Sequence, residues 1–138
     1  MEMDVNDMRT NFFYVLIALG IFSVLYYSWI DSPRLSLNGT LPKVISDWTD
    51  RNENDNFRTA VPFFFISILI GTVLTIKKEP IKSWKAAFIS LVILIFLAEL
   101  GQLFLPLRMF DWGDIAWAII ASFIGLFIVN TIAKKCFR

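Results

Sequence analysis

Glu99, Gln102, Arg108, Asp111 and Asp114 follow one another in the string A-E-L-G-Q-L-F-L-P-L-R-M-F-D-W-G-D, where two long apolar segments meet. Three carboxylates, an amide and a guanidinium can bind an anion, move a proton or pair with each other. A bare charge in hydrocarbon costs about 2.5–3.5 kcal/mol on insertion scales, so such groups are rare in spans and by default mark a working site. Glu99 and Gln102 are three residues apart, share a helix face and can converge on one ligand or proton. Counting back from an outer helix end at Leu107, at 1.5 Å per residue, places Glu99 roughly 12 Å below that end.

The residues after Glu99 predict a turn and a helix start. Pro106 disfavours helix at Leu105 and turns the chain, so Arg108 emerges near the mouth. Asp111 is a candidate N-cap for the next helix. Asp114 falls at its third position, where exposed N–H groups and the helix dipole favour a carboxylate. Arg108 is then in reach of Asp111, Asp114 or Glu99. In a binding site, Gln102, Arg108 and Asp111 are the ligand-binding candidates, with Arg108 holding an anion. In an enzyme, Glu99 and Asp114 are the catalytic candidates, an acid–base pair acting on a lipid-linked substrate. In a purely structural arrangement, Arg108 pairs with Asp111 or Asp114, while Glu99 and Gln102 hydrogen-bond across helices.

The elements that must position these groups follow from composition. The 138 residues are 57% hydrophobic and 16% aromatic, with a mean hydropathy of +0.62, which points to a small membrane protein. Crossing about 30 Å of hydrocarbon needs roughly 20 helical residues. Four windows qualify: residues 12–30, 60–76, 84–107 and 114–133. The second begins with Pro62 in its first turn, where the missing N–H has no partner to lose. The expected fold is a single all-α domain over residues 1–138, a four-transmembrane-helix bundle with short cytoplasmic termini.

Orientation is read from lysine and arginine. Of thirteen such residues, eight fall at the N-terminus, between Lys77 and Lys85, and at the C-terminus. Arg34, Lys43, Arg51, Arg58 and Arg108 fall on the opposite side. The denser side is expected to be cytoplasmic, which puts the 31–59 loop and the Arg108–Asp114 turn outside. The first span is expected to be retained as an anchor, because its leader is acidic and no small-x-small site follows it. Tyr14, Tyr26, Tyr27, Trp29, Trp84 and Trp112 fall near span ends and read as interfacial anchors.

The outer loop carries S-P-R, N-G-T and L-P-K turn signals. Val44, Ile45 and Trp48 have the spacing of a short interfacial helix, so the loop is expected to form a partial lid over the outer mouth. In the fourth span Ala118, Ala121, Ser122 and Gly125 form a stripe of small residues that admits a close helix partner. The third span, through the face of Gly101 or Glu99, is the expected partner. As an interaction module, the chain would present this stripe to another protein.

Several chemistries are excluded. The chain has no histidine, so imidazole catalysis and His-ligated metals are out. Its one cysteine, Cys136, forms no intrachain disulfide. No Gly-rich phosphate loop is present, and the short basic tails suit anionic lipid better than nucleic acid. Neither a metal nor a cofactor is expected. The expected partners are membrane lipids, including an anionic lipid-linked envelope precursor.

The string E-x2-Q-x5-R-x2-D-x2-D from Glu99 to Asp114, followed by Gly125 in the last helix, resembles the VanZ-like membrane protein family. The likeness covers residues 98–125 well and the four-helix layout loosely. Where members carry an Asp-Lys pair and a histidine, this chain has Asp55, Asn56, Phe57, Arg58 and Thr59. Members also carry an asparagine and an extra glycine in the last helix, where this chain has Ala118 and Ala121. The resemblance implies a bacterial envelope-related membrane protein, and the family's prototype is associated with resistance to the glycopeptide antibiotic teicoplanin.

Overall fold

The computed structural model of the chain describes residues 5–30, 36, 39, 41–51 and 55–136. It contains α1 (Val5–Ser28), α2 (Lys43–Thr49), α3 (Asp55–Ile76), α4 (Ile81–Gln102) and α5 (Trp112–Cys136), with no strand among the described residues. Four of the five helices are long and apolar enough to cross a membrane. The fold is therefore an all-α bundle of four spanning helices, as the hydropathy windows predict, and the protein is a multi-pass membrane protein. The S-P-R signal and Arg34 lie outside the described residues, as do Asn38 and Thr40 of N-G-T and Arg138. Gly39 itself has φ 63°, the left-handed conformation a turn glycine supplies.

The bundle places apolar residues outside and polar ones within. Phe22, Phe65, Ile89, Ile93, Phe123 and Phe127 are exposed, whereas Ser67, Glu99 and Ser122 are almost fully buried. Helices that are apolar all round suit a lipid surround, since only there does exposed hydrocarbon cost nothing. Val24, Phe63, Ile66, Leu91, Ile95, Ile115, Ala118 and Leu126 form the apolar core.

The helix ends differ from the hydropathy windows in three places that matter. α1 begins at Val5 rather than Phe12, and α3 at Asp55 rather than Ala60, because each helix extends through polar turns that hydropathy does not count. Pro62 consequently sits inside α3, not in its first turn. There it cannot supply the N–H that the Arg58 carbonyl takes in an unbroken helix. α4 ends at Gln102 rather than Leu107. Leu103, Phe104, Leu105 and Arg108 instead use their N–H groups in tight turns to Leu100, Gly101, Gln102 and Leu105.

The central contact is between α3 and α5. These helices run in parallel, with Phe57 against Trp117 at one end, Ser67 against Gly125 midway, and Gly71 against Val129 further along. A Cβ at Gly125 would meet the Phe64 carbonyl at 2.9 Å as well as the Ser67 side chain. The small-residue stripe thus packs mainly on the second span, which corrects the third-span partner expected from sequence. The reason is complementary: Ser67 folds its hydroxyl back to the Phe64 carbonyl at 2.7 Å, which presents a low surface to Gly125. Ala118 and Ser122 are 0% exposed, so the chain itself covers most of the stripe.

At the terminal end, α3 closes with Lys78 at φ 52°. The N–H of Lys78 bonds to the Thr75 carbonyl and that of Glu79 to the Leu74 carbonyl, the paired bonds of a Schellman cap. Lys77 lies 5.2 Å from the Tyr14 ring centre, tying this turn to α1. A hydrogen bond with Tyr14 holds the Lys77 ammonium above its ordinary pKa. Arg9, Lys78, Lys134 and Lys135 surround a wide cleft here, so the start of α1, the α3–α4 turn and the end of α5 share one end of the bundle.

Candidate functional site

At the opposite end, the helix termini build the site. Glu99 and Gln102 lie in the last turn of α4, so Glu99 is only three residues, about 4.5 Å, from its end. The depth of roughly 12 Å expected from a Leu107 terminus is corrected accordingly. Glu99 is nonetheless 1% exposed, because neighbouring helices cover it. The Gln102 amide donates to Glu99 Oε1 at 2.9 Å, as their shared face predicts. Glu99 Oε2 is buried with no hydrogen-bond partner among the described residues.

Arg108 reaches α1. Its Nε donates to the Ile30 carbonyl and its Nη2 to the Tyr27 carbonyl, each at 3.0 Å. The final carbonyls of a helix lack intrahelical partners and carry partial negative charge, which is what a guanidinium fork satisfies. In return, the Trp29 indole N–H donates to the Ala98 carbonyl at 3.1 Å. A Cβ at Gly101 would collide with that indole. Trp29 therefore ties the end of α1 to α4 and Arg108 ties the segment after α4 to the same end of α1, so Trp29 is more than an interfacial anchor. Arg108 also feels the charges of Glu99 and Asp114, which oppose the lowering of its pKa by burial, first, and by Arg58, second.

The two aspartates separate in role. Asp111 Oδ1 accepts from the Gly113 N–H at 2.7 Å, the N-cap bond expected of it. Asp111 is exposed and does not line the cavity described next, and the bond it makes is the cap. Asp114 is 9% exposed and does line it.

That cavity, of about 410 Å³, opens between α1 and α3 and falls within the roughly 300–1,000 Å³ of ordinary ligand sites. Arg58, Gln102, Arg108 and Asp114 stand at its polar end. Ile45 and Trp48 of α2, the residues whose spacing suggests a lid, also line it. Elsewhere on α2, Val44 is 83% exposed and the Ser36 N–H donates to Asp50 at the helix end. Glu99 does not line the cavity; it bears on it through its hydrogen bond with Gln102 and its charge near Arg108.

Sequence reasoning missed Arg58. It counted as a loop charge because the second span was begun at Ala60; the helix starts at Asp55 instead, which puts Arg58 on α3 and in the cavity lining with Arg108. Among the lining side chains two guanidiniums stand with one carboxylate, with the Glu99 carboxylate behind them, and the guanidiniums suit an anion that also carries apolar bulk. Among the described residues no cluster of candidate metal ligands occurs.

The chain matches no protein-family model, no curated protein and no solved structure.

Proposed function

We propose that this protein binds an anionic, lipid-linked component of the bacterial cell envelope in the cavity beneath α2, as a VanZ-like membrane protein. Its reading as a cell-membrane protein with both termini cytoplasmic follows the positive-inside rule, since eight of the thirteen basic residues cluster at the terminal end. The cavity then faces outward. The observation that carries the proposal is the pairing of Arg58 and Arg108 at the head of an otherwise apolar cavity.

Binding is favoured over turnover by the position of Glu99. An acid–base pair needs both carboxylates at the reacting group, yet Asp114 lines the cavity and Glu99 stands behind Gln102. Sequestering an envelope component on the outer face would change how glycopeptides meet the cell surface. The test is the susceptibility to teicoplanin of a bacterium expressing the wild type or Arg58→Gln at equal membrane levels. We expect the wild type to lower susceptibility and the variant to lose that effect. Equal susceptibility with and without the wild type would overturn the proposed link to glycopeptides.

A further inference from the structure

We infer that the cavity is a lateral lipid slot, in which one chain of an anionic outer-leaflet lipid enters between α1 and α3 and its head group stops beneath α2 at Arg58 and Arg108. This rests on the binding reading above and adds the occupant's class, its route and its depth.

The depth is the first argument. The lining runs from Arg58 to Leu69 on α3 and from Ser28 down to Gly20 on α1, distances of about 16 Å and about 12 Å at 1.5 Å per residue. Half of a hydrocarbon core of roughly 30 Å is about 15 Å. The slot thus extends about one leaflet, far more than a water-soluble anion uses.

The second argument is the order of chemistry along that depth. Arg58, Gln102, Arg108 and Asp114 occupy the head, whereas the walls below are Val24, Phe65, Ile66 and Leu69. At the floor α1 closes on α3, where a Cβ at Gly20 would lie 3.1 Å from Ile66 Cγ1. Polar at the top and hydrocarbon below is the chemistry of a lipid standing in its own leaflet. The two guanidiniums at the head can each hydrogen-bond an anionic head group.

The route is the third. Ser23, Val61 and Phe65 line the cavity and are themselves exposed on the bundle's side, so the slot is open toward the lipid phase. Ile45 and Trp48 of α2 also line it. A chain can therefore slide in sideways without leaving hydrocarbon, while the head group stays near the water boundary.

The experiment measures retention by the full-length protein in non-ionic detergent of three probes: lysophosphatidylglycerol, lysophosphatidylcholine and chainless glycerol phosphate. Ser23→Trp and Val61→Trp fill the slot from opposite walls; Leu19→Trp, on the exposed side of α1 outside the slot, controls for the added indole. We expect the wild type and Leu19→Trp to prefer lysophosphatidylglycerol over lysophosphatidylcholine about tenfold or more, which is about 1.4 kcal/mol. Both slot-filling variants should lose retention by a similar factor, and Arg58→Gln should retain both lysolipids alike. Undiminished retention in both slot-filling variants would overturn the slot. Glycerol phosphate binding as tightly as its lysolipid would also overturn the slot while leaving the anion site standing. Absence of any preference for the anionic probes would overturn both the slot and the binding reading beneath it.

Discussion

Glu99 combines near-complete burial with one oxygen satisfied by Gln102 and one without a hydrogen-bond partner among the described residues, and a half-satisfied buried carboxylate is costly. Glu99→Gln keeps an acceptor for Gln102 and removes the ionisable group, so we expect a melting temperature in detergent at or above that of the wild type; a clear drop would contradict a destabilising role. Asp111→Ala removes the bond to the Gly113 N–H and is expected to cost about 1 kcal/mol, seen as an earlier thermal transition without altered ligand retention. Lys78 holds a left-handed conformation that costs a side-chain-bearing residue roughly 1–2 kcal/mol. Lys78→Gly should therefore raise the melting temperature. At this scale the sequence was legible where a role depends on local spacing: the Glu99–Gln102 bond and the Asp111 cap both depend on neighbours within three residues. It was not legible for Arg108, whose partners are Tyr27 and Ile30, some eighty residues earlier. A guanidinium beside two aspartates gives no sign in the sequence that the end of another helix also lies against it.

Helix positions were readable from hydropathy, but helix ends and neighbours were not. The Leu103–Leu107 stretch is as apolar as a span, yet it leaves the helix as a series of tight turns before Pro106. The small residues of α5 announced a close contact correctly, but small stripes carry no address, and Ser67 and Gly71 on α3 were the complementary surface. Gly125→Leu drives a side chain into the Phe64 carbonyl and Ser67, and overpacking of this kind costs typically about 1–3 kcal/mol. We expect it to lower thermal stability sharply, whereas Ile124→Leu, on an exposed part of α5, should leave it unchanged. The tie from Arg108 to the end of α1 gives a separate expectation. Arg108→Gln removes two hydrogen bonds from a charged donor, each worth about 1.5–3 kcal/mol. Limited proteolysis should then cleave near Ile30 at lower protease levels than in the wild type; unchanged protection would show that the tie contributes little.

The whole molecule has its basic cleft at the end that carries the termini and its mixed-charge cavity at the other. This polarity was visible in the sequence, because it follows from span number and the positions of lysine and arginine. The cavity was visible only in outline: a polar run and a short amphipathic helix were readable, but the slot between α1 and α3 is a property of how two distant helices diverge above Gly20. We propose that this cavity holds an anionic envelope component through Arg58. Native mass spectrometry of the protein extracted from bacterial membranes tests it most directly, comparing the wild type with Arg58→Gln. We expect the wild type to carry one anionic amphiphile per chain and Arg58→Gln to have lost it while still folded. A bare wild-type chain, or the same bound species in both proteins, would contradict the claim.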